Sequence, residues 1–245
     1  LPKLNLLSGC RLDINNTVDI PILSPRISLL YKLKKNTQLR LSYGTGFRAP
    51  QAFDTDLHIA FAGGGISRVT LDSNLLEERS QSFSTSINYD KPYANFIFGF
   101  TFEGFHTLLN NAFYLQPNGS DDFGLLFEKQ NGQSATVSGL TFELRANYKQ
   151  KIQFEAGGTL QTNKYENAVP YIDGIPPTRE FIRTPNHYGF MVLTLNPSKR
   201  LSANINYVYT GQMLVPHFAG AENQLFDEMV NTEMKMMVIL TLVKG

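Results

Sequence analysis

Apolar and polar side chains alternate along most of this chain, in long runs. In TQLRLSYG (37–44), Leu39, Leu41 and Tyr43 point one way, and Arg40, Ser42 and Gly44 the other. In RSQSFSTSINYD (79–90), Phe83, Ile87 and Tyr89 oppose Ser80, Ser82, Ser84, Ser86 and Asn88. In SGLTFELRANYK (138–149), Leu140, Phe142, Leu144, Ala146 and Tyr148 oppose Thr141, Glu143, Arg145, Asn147 and Lys149. RLSANINYVY (200–209) repeats the pattern, and NFIFGFTFEGF (95–105) puts Phe96, Phe98, Phe100 and Phe102 on one face. A period of two is that of a β-strand with one apolar and one polar face.

The pattern predicts about ten strands, near 3–14, 24–34, 37–48, 78–90, 94–107, 134–149, 151–165, 186–196, 199–213 and 230–243. Their lengths suit a tilted membrane crossing, which needs about 9–11 residues, better than the roughly 5–6 of an ordinary strand. The connections are unequal. KLKKNTQ (32–38), DKPYAN (90–95), KQKIQ (149–153) and NPSKRL (196–201) are tight and mostly basic; 49–78, 115–133, 165–186 and 213–230 are long and polar. Short and long connections alternate, so every short turn falls at one end. A transmembrane barrel has that asymmetry, with short turns on the periplasmic side and long loops outside. Tyr31, Tyr89 and Tyr148 precede short turns on the apolar face, as in an aromatic girdle. The expected fold is all-β: an antiparallel meander transmembrane β-barrel, here partial, about ten strands of a larger barrel. Leu39, Leu41, Phe96, Phe98, Leu140, Phe142, Leu201 and Ile205 are expected outward; Ser82, Ser84, Ser86, Glu143 and Arg145 are expected to face the lumen.

Composition fits this reading. The net charge of +1 gives no field for nucleic acid. No apolar run approaches the roughly 18 residues of a membrane helix. Mean hydropathy is slightly negative, as expected when every second residue faces a polar lumen. Cys10, the one cysteine, reads as a small apolar strand residue. The opening residues LPKLNLLSG lack the regions of a secretory leader, so an interior fragment is expected.

Catalytic and metal signatures are weak. His58, His106, His187 and His217 are scattered, with no partner at zinc spacing. There is no G-x-S-x-G elbow, and GGG at 63–65 reads as a flexible loop tip. Asp121, Asp122 and Glu128 read as a solvated acidic loop before a cation site. No enzymatic activity, cofactor or resident metal is expected.

One segment is specific. LSPRISLLYKLKKNTQLRLSYGTGFRAPQAFDTDLH (23–58) resembles the TonB-dependent outer-membrane receptors, in which an SPR-type strand, a tight turn and an ascending strand end in a Gly-Phe-Arg-Ala-Pro box. Here the box is Gly46, Phe47, Arg48, Ala49 and Pro50. The family's following Asn-Pro-Asn-Leu-x-Pro-Glu segment is matched by Asp72–Glu78 without its two prolines. GCRLD (9–13) and VSGLTFELR (137–145) resemble further barrel strands, and the likeness covers most of 5–150. Independently of it, Pro50 ends a strand because it cannot donate to a ladder. Arg48 is then expected at the rim, wet or paired with a carboxylate.

The resemblance implies a barrel that encloses a plug and imports an iron-siderophore, haem, cobalamin or glycan with energy delivered through TonB. Residues 1–245 are expected to be part of that barrel, with the plug domain absent from this chain. The implied partners are the TonB complex through the plug, a small-molecule or metal-chelate ligand, and outer-membrane lipid, in the cell outer membrane. Binding residues sit on loops carried by rigid frames. Tyr114, Phe123, Phe127, Tyr171, Phe181, Arg179 and Arg183 are therefore ligand candidates, the rings for stacking and the arginines for anionic groups. Packing the loops together is the alternative role for the rings. His58, between the two boxes, is the candidate iron ligand if the cargo is haem. A passive porin or surface adhesin is the alternative function.

Overall fold

The computed structural model describes residues 3–16, 18, 20–51, 68–121, 124–172, 174–198, 200–217 and 228–244. In chain order the strands are β1 (Leu4–Asp13), β2 (Ile22–Lys34), β3 (Thr37–Arg48), β4 (Arg68–Leu71), β5 (Glu78–Tyr93), β6 (Phe96–Asn110), β7 (Phe113–Asp121) and β8 (Gly124–Asn131). They continue as β9 (Ala135–Tyr148), β10 (Ile152–Val169), β11 (Thr178–Glu180), β12 (His187–Ser198), β13 (Leu201–Thr210), β14 (Leu214–His217), β15 (Glu228–Asn231) and β16 (Lys235–Lys244). The described residues contain no helix.

The long strands form one sheet in the order β1-β2-β3-β5-β6-β9-β10-β12-β13-β16. Each neighbouring pair is antiparallel. This is the expected meander, and the four tight turns share one end of it. At the turn between β9 and β10, Lys149 and Gln150 both have positive φ (50° and 59°), and the Lys151 amide donates to the Tyr148 carbonyl. Paired left-handed residues match the right-handed twist of the strands they join.

The register separates two faces. One row, Leu39, Ile87, Phe102 and Phe142, lies beside a second, Leu41, Thr85, Gly104, Leu140 and Leu160. Phe98, Ala146, Phe154, Leu193 and Ile205 make another row on this side. The opposite face carries Ser82, Ser84, Ser86, Glu143 and Arg145, as expected. Its groups satisfy one another across strands. Ser28 and Ser42 lie 2.9 Å apart, as do Ser82 and Thr107, and Arg145 donates to Thr101 on β6 as well as to Glu143 on its own strand. On the polar side Ser86 and Thr159 are buried, while Leu140 and Phe142 on the apolar side stay 48% and 43% exposed. Crowding of small side chains on one face and splaying of large ones on the other is what a sheet curved around its polar face produces.

Two aromatics break the polar pattern for a local reason. Phe105 covers the backbone at Gly139, where an added Cβ would lie 2.7 Å from its ring, and Phe190 covers Gly157 in the same way. An aromatic on one strand fills the place of the missing side chain on the next.

Four boundaries differ from the sequence reading. The turn expected at 90–95 is shorter, because β5 runs on through Pro92 to Tyr93. Opposite β5, β3 starts at Thr37, level with Tyr89, so beyond that point β5 has one neighbour and a proline is tolerated. The segment 115–133 is largely a hairpin, β7 and β8, and β4 pairs with β8 in parallel to complete a three-stranded sheet. β10 extends to Val169 and pairs with β11 inside the third long connection. The last connection holds the β14–β15 pair, and β16 begins at Lys235.

Candidate functional site

The described parts of the long connections gather at the end of the sheet away from the tight turns, and they are tied to one another. Asn131 is the knot between two of them. Its amide donates to the carbonyls of Leu76 and Asn111, and its oxygen accepts from the Leu76 amide at 2.6 Å. The small sheet of β4, β8 and β7 has its own core, where Leu115 and Phe127 are buried against Val69. Lys129 is fully buried beneath it. Its ammonium donates to the Gln51 carbonyl at 3.0 Å and lies 5.2 Å from the Phe113 ring centre.

The rim box meets this cap on the polar face. Arg48, at the end of β3, pairs with Glu78 at 3.1 Å and lies 4.9 Å over the Phe113 ring. Glu78 also accepts from the Phe113 amide at 3.1 Å. The box therefore locks the end of a wall strand to the start of β7. Ala49 and Pro50 are buried there, and Gly46 and Phe47 belong to β3 itself.

Beside the lock is a cavity of about 640 Å³, lined by Arg48, Glu78, Phe113, Tyr114, Tyr165, Tyr171, Phe181 and Arg183, among others. Its floor is a cluster of Ala112, Ala135, Tyr165 and Val169, against which Tyr114, Tyr171 and Phe181 pack. The Tyr165 and Phe181 rings lie 4.4 Å apart at 36°. The Tyr114 hydroxyl is 3.0 Å from the Gln116 side-chain oxygen and 3.1 Å from that of Gln130. Burial first, then the charges of Asp72 and Glu128, raise its pKa above the ordinary 10.0. The phenol thus stays a hydrogen-bond donor at neutral pH. Arg183 has a left-handed backbone (φ 55°), and its amide donates to the Leu214 carbonyl.

Of the loop residues singled out in the sequence, Tyr114, Tyr171, Phe181 and Arg183 meet in this cavity. The three rings pack the connections together and line the opening. Arg179 donates to the Tyr165 carbonyl and so positions a lining residue. Phe127 lies in the cap core, away from the cavity. His58 and Phe123 lie outside the described residues, as does Asp122; no cluster of potential metal ligands occurs among the described residues. Glu78, Phe113 and Tyr165 are lining residues that sequence reasoning missed. Glu78 had a signal, since it closes the Asn-Leu-Leu-Glu-Glu segment after the box.

The comparisons with known proteins agree with this fold. The family model described as TonB dependent receptor-like, beta-barrel matches residues 1–224. Among solved structures, the siderophore receptor PirA from Acinetobacter baumannii superposes with a TM-score of 0.65 at 14% identity, over 98% of this chain and 37% of that one. The FrpB iron transporter from Neisseria meningitidis gives 0.61 at 14%, over 100% and 36%. A mutant of the ferric enterobactin receptor PfeA from Pseudomonas aeruginosa gives 0.62 at 16%, over 99% and 35%. The chain thus spans little more than a third of these proteins, and the likeness is one of fold. No curated protein matches the sequence. With its meander, its rim box and a family match over nearly all its length, the chain belongs to the TonB-dependent receptor β-barrel family.

Proposed function

We propose that this chain is part of the wall of an outer-membrane receptor that imports a scarce nutrient with energy supplied through TonB. The observation that carries the reading is a single wall with two unlike sides. On the apolar side of β6, Phe96, Phe98, Phe100 and Phe102 lead up to His106. Ten residue steps at about 3.3 Å each, tilted by about 40°, rise about 25 Å, the height of a barrel's lipid-facing band. Tyr31, Tyr93, Phe96 and Tyr148 ring its lower edge and are all more than a third exposed. The polar side leads up to the rim cavity.

In this reading the plug and the remaining wall strands belong to other parts of the full-length receptor and continue the sheet beyond β1 and β16. Closure is required, because lipid offers no partner to an open strand edge. The cargo that suits the cavity is a ferric chelate with aromatic, anionic groups. Tyr171 and Phe181 supply ring faces and Arg183 a positive charge. The cited relatives described as a siderophore receptor, an iron transporter and a ferric enterobactin receptor are consistent with that choice. No catalytic step is assigned to any residue.

The test is growth of a strain lacking the full-length receptor on single sources of iron chelate, haem, cobalamin or glycan, with and without the restored gene. Rescue on a ferric chelate supports the reading. Rescue on cobalamin or glycan alone removes iron from it, and no defect on any source removes nutrient import.

A further inference from the structure

β10 changes partner near the end away from the tight turns, and the change leaves a fork. It pairs with β12 as far as Leu160, opposite His187, and with β11 only from Lys164, opposite Glu180. Asn163 falls between the two. Fixed contacts hold the fork. The Gln161 amide donates to the Asn186 carbonyl, the Gln161 side chain donates to the Pro185 carbonyl at 2.9 Å, and the Arg183 amide donates to the Leu214 carbonyl. Within the fork lies a cavity of about 190 Å³. Phe181 and Thr184 line both this cavity and the rim cavity. Apart from Leu214, the remaining walls are polar: Asn163, Glu180, Asn186, His187, Gln212 and Asn231.

One of these groups is buried and short of a partner. Asn163 is 5% exposed. Among the described residues its side chain makes one contact, from its nitrogen to the Asn186 side-chain oxygen at 3.5 Å, which is the outer limit of a hydrogen bond. Its oxygen accepts from none of the described residues. A buried amide in that state calls for a partner inside the cavity. His187 is fixed beside it. Its Nδ1 lies 2.9 Å from the Tyr209 hydroxyl, and Gly211 leaves room for a ring that an added Cβ would strike.

The lining selects a class of occupant. Among the described residues it holds one carboxylate, Glu180, and no lysine or arginine. An anion is therefore disfavoured, in contrast to the rim cavity with its Arg183. One carboxylate among neutral amides is a poor set for a divalent cation, and the described residues hold no cluster of metal-ligating side chains. An apolar group would leave the amides unpaired. A neutral polyhydroxyl compound fits. Each hydroxyl both donates and accepts, which matches amides that offer one group of each kind. The volume equals that of about six waters, below that of a drug-sized site and enough for one sugar ring, whose apolar edge would meet Phe181 and Leu214.

We propose that the fork binds one neutral pyranose unit, with Asn163 and Glu180 hydrogen-bonded to its hydroxyls. The site stands on the fork's own geometry and adds to the cargo chemistry of the rim cavity. A free sugar and a sugar carried on an aromatic cargo present the same hydroxyls. The carried form alone rests on the reading of the rim cavity as the cargo site.

The experiment uses the full-length receptor in a detergent without a sugar headgroup. Saturation-transfer NMR measures binding of glucose, galactose and mannose, each free and as its phenyl glycoside, together with the matching uronates. The native receptor is expected to bind at least one neutral sugar, and its uronate about tenfold more weakly. Asn163→Leu should weaken the neutral sugar about tenfold. Glu180→Gln should retain the neutral sugar and raise the uronate to match it; if Asn163→Leu fails to fold, this variant decides. A phenyl glycoside held about tenfold tighter than the free sugar supports the site and assigns the sugar to an aromatic cargo; equal binding supports the site and assigns a free sugar. No binding of any neutral sugar, uronate bound as well as neutral sugar by the native receptor, or unchanged binding by folded Asn163→Leu overturns the site. Calcium binding that Asn163→Leu abolishes would put a cation there instead. None of these results bears on nutrient import, which fails separately if growth shows no defect on any source.

Discussion

Arg48 and Glu78 are register partners across β3 and β5, and their side chains meet at 3.1 Å where the polar face opens into the rim cavity. The pair does more than neutralise charge, because Glu78 also takes the Phe113 amide and Arg48 covers the Phe113 ring. The motif that identifies the chain is thus the joint between the wall and its cap.

The two halves of that joint should differ in cost. Arg48 is 42% exposed in its side chain, so Arg48→Ala should cost about 0.5–1 kcal/mol. Glu78→Ala also strands the Phe113 amide and should cost about 1–2 kcal/mol. Reversible unfolding of the full-length receptor and its single and double variants measures both. Equal costs, or strictly additive ones, contradict the shared network.

Asn131 should behave as the tie between two connections. Asn131→Ala removes a partner from Leu76 and from Asn111 and should destabilise the cap by about 1–3 kcal/mol while leaving the wall intact. Limited proteolysis is expected to cut within 68–77 or 111–134 sooner in the variant. Unchanged cleavage there contradicts the role.

The faces make opposite predictions for charge. Phe142→Arg, on the apolar side opposite Phe102, should cost about 2–4 kcal/mol if it lies near the bilayer midplane, and Ser84→Arg on the polar side should cost far less. Unfolding from lipid vesicles ranks the two, and the reverse order would mean that the faces are swapped.

Tyr114 carries a pH signature. Its pKa is raised in the folded state, so ionisation favours unfolding. The sign follows: it has no effect on stability well below pH 10.0, and stability falls as pH rises through the unfolded value. Near-ultraviolet titration of the native protein against Tyr114→Phe should show this phenol ionising later than an ordinary tyrosine. Ionisation at or below the ordinary value contradicts its burial.

The wall was legible because its physics is local. A strand with one apolar and one polar face writes its period into consecutive residues, as Leu140 to Tyr148 do, and alternating loop lengths fix which ends lie together. The cap was not legible, because its strands form through distant partners. β4 exists as four residues that pair in parallel with β8, more than fifty positions later. β7 carries Pro117 and Gly119, which read as breakers, and the register slips between Pro117 and Ser120. Phe113 and Tyr165 look like ordinary strand residues in the sequence, and only the folding-over of the connections turns them into cavity walls. Tyr114, Tyr171, Phe181 and Arg183, which line one cavity, stood out in the sequence because large aromatics and arginines in long connections are unusual.

In the proposed function the wall belongs to an energised importer with its binding cavity at the rim. The most direct measurement is uptake of a radiolabelled ferric chelate by cells carrying the full-length receptor, native or with Phe181→Ala and Arg183→Ala together, in strains with and without TonB. The predicted result is accumulation that requires TonB and falls about tenfold or more in the rim variant while the variant still reaches the outer membrane. Accumulation that is the same without TonB would mark a passive pore, and native uptake by a folded rim variant would place the binding site elsewhere; either contradicts the account.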